Sequence, residues 1–476
     1  MRSLSLLLTI ASGLSAVPVR PHAGNPRYYE FRGKPVILLT SGEHYGAVLN
    51  GEFNFIKYLD TLRADGLNLT RVFSGVYRET PGDFGIPHNT LAPRPAHFVS
   101  PYARVTAPAA RDGIGRFDLR KWNPAYWQRL KQFIAAASER GIVVEFTLFC
   151  VYYQDRMWEL APWHPDNNVN GLPAIPRGEV LTLRHTPYVR LQEEFVRKVA
   201  SELRDADNVI FEICNEPYVT AVPEDWQRHM AKLLYEAESG FPARHMIGQN
   251  VANGSKKIEQ ADPHVSLFNF HYARPPVTVA QNYGLNRVIG LDETGFDGTL
   301  DAIYRIQAWD FLLAGGGHYN NLDYSFAVEH EDGSLPVAGT APGGGSATLR
   351  KQLKILREFM EGLPFVSMAP APSLVTGGLP EGFSARAFGA EGRVYAVYVH
   401  GGRALPNVRP RYVYRTDRQE FAVALNLPAG VWEAEWWDPR DGRRSEPSRF
   451  DHAGGHAWVA LPAFTEDIAF VLRRKQ

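Results

Sequence analysis

Val209-Ile210-Phe211-Glu212-Ile213-Cys214-Asn215-Glu216-Pro217 reads as a strand that stops on Asn-Glu-Pro. Similar short β-branched runs recur on both sides of it. They are Val36–Ser41, Leu67–Phe73, Ile142–Phe149, His245–Val251, Val265–His271, Val288–Asp292 and His318–Asp323. Between them lie segments with apolar residues at helical spacing. Asn123-Pro124 reads as an N-cap followed by Pro at the first helical position, with Trp127, Leu130 and Ile134 as one stripe. Thr186-Pro187 repeats that signal ahead of Tyr188, Leu191, Phe195 and Val199. A last stripe, Leu349, Leu353, Leu356 and Met360, follows the Gly-rich stretch 343–345.

Eight strand–helix units predict an α/β fold, a (β/α)8 TIM barrel over residues 19–364. An open doubly wound sheet would want a Gly-rich turn after its first strand, and Ser41-Gly42-Glu43-His44 is not one. The alternating region exceeds the ~250 residues typical of a barrel. The excess sits in two loops, 74–121 and 151–185. Both follow strands, so both fall on the face where barrel active sites are built. Past residue 364 the pattern becomes short alternating runs with turns such as Asp438-Pro439-Arg440-Asp441-Gly442, predicting a small all-β sandwich over 365–476.

The composition narrows the function. Lys plus Arg number 51, Asp plus Glu number 51, and the formal net charge is zero, so no basic excess is available to displace phosphate counterions from a nucleic acid. Residues 1–18 open with Met1-Arg2-Ser3, continue through an apolar run from Leu4 to Leu14 and leave on Ser15-Ala16-Val17-Pro18. That layout predicts a signal peptide and a secreted or periplasmic protein; the run is too short to span a bilayer. The two cysteines, Cys150 and Cys214, are expected as free buried thiols, and no metal site is expected.

Two carboxylates carry the chemistry. Glu216 ends the fourth strand. Glu293, in Leu291-Asp292-Glu293-Thr294-Gly295, ends the seventh, and their separation of 77 residues accommodates three β/α units. With these residues the chain resembles clan A of the glycoside hydrolases, the retaining (β/α)8 glycosidases that include the family 5 cellulases. The resemblance implies Glu216 as general acid/base, Glu293 as nucleophile and Asn215 as a hydrogen-bond partner of the sugar 2-hydroxyl. Arg71, in Asn68-Leu69-Thr70-Arg71, matches the clan's arginine beside the nucleophile, and His271, in Phe268-Asn269-Phe270-His271-Tyr272, its strand-six histidine. Family 5 members carry Tyr two residues after that histidine; here the position is Ala273 and Tyr272 comes one earlier.

Retaining hydrolysis needs two carboxyls about 5–5.5 Å apart. One is neutral and protonates the leaving oxygen; the other is ionised and attacks. Glu216 is expected to be held protonated by the charge of Glu293. Further substrate contacts are expected from His44, Asp323 and the third loop, with Trp163 beside Trp158 and His164 as a subsite wall. Glu212 and Glu145 are expected to pair with an internal cation. The implied substrate is an oligosaccharide or polysaccharide, with no organic cofactor. A binding protein without turnover and a transglycosidase are the alternatives. The tail segment Trp432-Glu433-Ala434-Glu435-Trp436-Trp437 is similar to small β domains appended to bacterial barrel glycosidases and labelled collagen-binding-like, and its tryptophans are expected in the core.

Overall fold

The computed structural model describes residues 17–339, 341–405 and 412–475. The expected leader therefore lies, through residue 16, outside the described residues. Eight parallel strands form the barrel: β1 Leu38–Gly42, β2 Leu69–Phe73, β3 Val143–Cys150, β4 Val209–Asn215, β5 Met246–Asn253, β6 Leu267–His271, β7 Val288–Glu293 and β8 His318–Leu322. Hydrogen bonding runs in the order β1-β8-β7-β6-β5-β4-β3-β2. The seam between β1 and β2 is closed largely by one side chain. Asn68 accepts from Leu39 N at 2.9 Å, donates to Ile37 O at 2.9 Å, and its own backbone N–H reaches Leu39 O at 3.1 Å.

The outer layer has seven helices where eight units were expected. They are α1 Phe55–Ala64, α2 Pro124–Glu139, α3 Thr186–Glu202, α4 Glu224–Ala237, α5 Val277–Asn282, α6 Asp301–Leu313 and α7 Ala347–Glu361. The connection from β5 to β6 carries none. Residues 254–266 offer only Ile258, Ala261 and Val265 among polar residues and Pro263, too little for an apolar stripe. Asn123 caps α2 as expected, its side chain accepting from Ala125 N. In α3 the cap is His185, and Thr186 is already helical.

The barrel interior is layered. At the bottom, Leu38, Leu69, Val143, Ile210, Met246, Leu267 and Val288 meet Val19, Tyr29 and Phe31. The last two belong to a short antiparallel sheet, Arg20–His22, Asn25–Phe31 and Lys34–Val36, that plugs the base. The Tyr29 hydroxyl lies 2.6 Å from Nδ1 of His318, the first residue of β8. Polar side chains occupy the middle, and the candidate site the top.

The C-terminal part folds as antiparallel sheets. A six-stranded sheet orders Ala369–Pro370, Ser384–Ala390, Val394–His400, Asp467–Lys475, Gly430–Trp437 and Ser448–His452. Val375–Gly377, Ala422–Leu427 and Gly455–Ala460 form the facing sheet. Val397, Val423, Leu425, Trp432, Phe470 and Leu472 fill the space between them, so Trp432 is core as expected. The opposite face of the large sheet packs on the barrel: Tyr398 stacks on Trp309 at 5.3 Å, and Trp437 meets Phe359 edge-on at 5.2 Å. No helix among the described residues is long and apolar enough to cross a membrane.

Candidate active site

Strand alternation sends Glu145, Glu212 and Asp292 into the barrel's middle layer, where each is buried. One guanidinium serves two of them. Arg71 Nη2 bonds Glu212 and lies 3.4 Å from Asp292. The expected pairing of Glu212 with an internal cation therefore holds. Glu145 instead accepts from the amide of Asn269, which also donates to Glu212 at 3.2 Å. Burial, then the charges of Glu212 and Asp292, push Glu145 well above the carboxylate range. Burial also raises Glu212, against the pull of Arg71. Asp292 goes the other way: burial would raise it, but facing His271 and Arg71 hold it down to about 2.

The two strand-end glutamates come together above this layer. His271 Nδ1 lies 3.0 Å from Glu216 Oε1 and 3.7 Å from Glu293 Oε2, and its Nε2 lies 3.3 Å from Asp292 Oδ1. The facing oxygens of Glu216 and Glu293 are within 4.8 Å of one another. Each glutamate has its own donors. Tyr153 reaches Glu216 Oε2 at 2.6 Å and Tyr218 reaches Oε1 at 3.3 Å. Glu293 accepts from Tyr45 at 3.2 Å, from Arg71 Nη1 at 3.4 Å and, through a very short contact, from the Tyr272 hydroxyl. Tyr272 thus meets Glu293 despite its shifted position in the sequence. Asn215 joins the two halves: its oxygen accepts from Arg71 at 2.8 Å and its amide donates to Tyr153 at 2.8 Å.

Glu216 has hydrogen-bond partners that the sequence did not single out for it, His271 and the Tyr153 hydroxyl. Burial raises Glu216, but the hydrogen bond and charge of His271 and the Tyr153 hydroxyl outweigh it, and the net direction is down. Burial alone would lower His271. The charges of Glu293 and Asp292 and the bonds to Asp292 and Glu216 instead raise it well above the usual imidazole range. The two shifts draw a proton toward His271 and away from Glu216.

Around these groups lies a cavity of about 480 Å³, within the range of small-ligand sites. All eight strands or the loops after them contribute to its lining, from His44 and Tyr45 after β1 to Leu322 and Tyr324 at β8. Ten non-glycine residues hold positive φ among the described residues. Five of them, Tyr45, Phe84, Glu216, Tyr272 and Phe296, line this cavity. Such backbones are costly and concentrate at functional sites.

His44 lines the cavity as expected, and Arg71, Asn215, Glu216, His271, Tyr272 and Glu293 converge. Two expected contacts do not. Trp163 is fully buried, its indole N–H on the Tyr102 hydroxyl at 3.1 Å and its ring near Phe149. The third loop packs on its own aromatics, Trp158 against Tyr152 and Tyr188. Asp323 is also fully buried, holding Arg350 at 3.0 Å and Ser41 at 2.7 Å. The wall comes instead from Glu79, Phe84, Ile86 and Leu91 of the second loop, with Tyr153 from the start of the third. Tyr45, Tyr153, Arg274 and Phe296 also line the site unforeseen. Their only signal was position, just past a strand end.

Two groups have metal-ligand spacing, Glu216-His271-Glu293 and Glu145-Glu212-Asp292. In the second, the cation facing the acids is Arg71. Cys150 and Cys214 are free and buried, in line with expectation.

Among known families, residues 92–222 match a domain of unknown function, DUF6298. That stretch holds residues 92–121 of the first long loop, β3, the whole second long loop and the Asn215-Glu216 end of β4. No curated protein sequence matches the chain. The solved structures it resembles include one described as a glycoside hydrolase, at 13% identity and TM-score 0.63, covering 96% of this chain and 97% of that one. Another is a glycoside hydrolase family 5 protein of Bacteroides vulgatus, at 14% identity and TM-score 0.63, covering 97% and 95%. The likeness runs through barrel and appended β part alike and shows the fold.

Proposed function

We propose that this chain is an exported retaining glycoside hydrolase acting on a β-linked carbohydrate. One observation carries the reading. Two glutamates at the ends of β4 and β7 bring one oxygen each within 4.8 Å of the other, nearer to the about 5–5.5 Å carboxyl spacing of retaining enzymes than to the about 6.5–9.5 Å of inverting ones. Their surroundings divide the labour. Glu293, beside the Arg71 guanidinium, attacks the anomeric carbon as the glycosidic bond breaks. Glu216 passes to the leaving oxygen the proton it shares with His271. The glycosyl ester removes the charge on Glu293, and Glu216 then takes a proton from the attacking water. Asn215, held between Arg71 and Tyr153, is placed to bind the sugar 2-hydroxyl. The tightly docked β part is read as an accessory, in keeping with the similarity of its tryptophan-rich strand.

The test is release of aglycone from a panel of aryl β-glycosides and β-glycans. Wild type should turn over at least one of them, and Glu293→Ala should lose about 10³-fold or more, the scale of removing a group that acts in the transition state. Added azide should restore release from Glu293→Ala and yield the α-glycosyl azide. Equal rates for both proteins would sink the mechanism.

A further inference from the structure

The cavity is closed on one side by the second loop, and we propose that this wall limits the glycone to a single sugar residue, so that the enzyme trims chain ends. Glu79 and His44 read the hydroxyls of that terminal residue. The inference rests on the hydrolase reading above.

The wall is built as fixed structure. Glu43, almost fully buried, accepts from the backbone N–H groups of Gly46 and Ala47 at 3.0 and 3.1 Å and from the Thr90 hydroxyl at 2.5 Å. Asn50 donates to Thr90 O at 3.1 Å, Glu79 N to Leu91 O at 2.9 Å, Gly51 N to His97 O at 2.9 Å and Val99 N to Leu49 O at 2.9 Å. The two loops are in such close contact that a Cβ on Gly46 would lie 2.2 Å from the Thr90 carbonyl. At the loop's tip, Asp83 is clasped by Arg156 of the third loop, and Phe84 sits edge-on against Tyr153 at 5.1 Å. These contacts hold the second loop in place along this side of the cavity.

The wall runs from Tyr153, on Glu216, to His44 and Glu79 beyond the nucleophile. Tyr45, which donates to Glu293, stacks on His44 at 5.3 Å, and His44 Nε2 lies 3.3 Å from Glu79. A sugar bonded to Glu293 therefore turns its far hydroxyls toward His44 and Glu79. On the Glu216 side the lining ends with Asn253 and Gly254 at the tip of β5, ahead of the connection that has no helix. That side takes the leaving group.

The two wall residues are prepared for hydroxyls. Glu79 accepts from Tyr77 at 3.0 Å, from Asn89 and from His44, which occupies three of a carboxylate's roughly four acceptor positions. His44 Nδ1 is buried with no partner in the protein. One acceptor position of Glu79 is left for a hydroxyl, and the His44 ring that lines the cavity beside it supplies a second polar contact.

The experiment has two arms on the full chain. Glu293→Gln is titrated calorimetrically with β-gluco-, β-manno-, β-galacto- and β-xylo-oligosaccharides of one to six residues. Wild-type products are followed by mass from the earliest time point. The wall predicts affinity that stops rising after the first two residues, monosaccharide as the sole early product, and a loss of tenfold or more when Glu79→Gln or His44→Ala is added. Affinity that climbs with every residue to six, or a ladder of early oligosaccharide products, overturns it. A wild type with no turnover whose Glu293→Gln variant still shows the plateau fails the hydrolase reading and leaves the wall standing. Binding of no sugar by any form overturns both.

Discussion

In the proposed reaction His271 is the residue on which the chemistry turns. It touches both candidate catalytic carboxylates and rests on Asp292, so both ring nitrogens face acids. Its folded pKa is raised, so its contribution to stability is complete below the unfolded value of about 6.5 and is lost as pH rises through the folded one. In the proposed reaction activity follows the same sign, because the proton destined for the leaving oxygen is shared between this ring and Glu216. The alkaline limb of kcat/KM should therefore fall well above pH 6.5. In His271→Gln that limb should move to lower pH, with a drop of about 10²-fold at the optimum. A pH–rate profile checks both, and an unmoved limb would return the proton to Glu216 alone. The sequence exposed His271 only through its resemblance to a strand-six histidine. Asp292 beneath it was legible merely as the neighbour of Glu293. Tyr153 and Tyr45 lie just past strand ends, as do many residues without function, so nothing in the chain marked them before the barrel curved them inward.

The barrel strands were the most readable elements, because short β-branched runs separated by helical periodicity are a strong local signal. Each prediction matched its strand to within two residues. What joins the first strand to the second was invisible. Sequence-adjacent strands at a barrel seam have no periodicity to announce the closure, and here Asn68 supplies it by bonding both Leu39 N and Ile37 O. Asn68→Ala leaves a buried donor and acceptor unsatisfied and should cost about 1–3 kcal/mol, read as a lower urea midpoint with the slope unchanged. A midpoint within error of wild type would mean that the β1–β2 seam holds without the clasp. The missing helix between β5 and β6 went unnoticed for the opposite reason: counting strands assumes a helix after each, whereas residues 254–266 lack the apolar stripe to make one. The long loops misled as well. Trp158 and Trp163 have the composition of a sugar platform, yet large aromatics in a loop gain more by burying one another than by lining water.

Barrel and sandwich unfold as one body if their interface is strong enough, and its centre is ionic. Arg305 of α6 makes two 2.9 Å bonds to Asp467 and one of 2.6 Å to Glu466, while the Tyr398 hydroxyl reaches Asp467 at 2.7 Å. Arg305→Met strands a buried carboxylate and should cost about 3–5 kcal/mol. Calorimetry should then resolve two transitions where wild type gives one; a single unshifted transition would show the interface to rest on Trp309, Phe359 and Trp437 instead. The division between what the chain states and what the fold decides follows from range. Local periodicity and strand ends are short-range properties, so the order of strands, the change to an all-β tail and the placement of Glu216 and Glu293 at strand termini could be read from the chain alone. The proton's position, the loop that walls the cavity and the burial of Trp163 and Asp323 depend on side chains brought together across 30 to more than 200 residues. Burial and charge act through space, and only the closed barrel sets those distances.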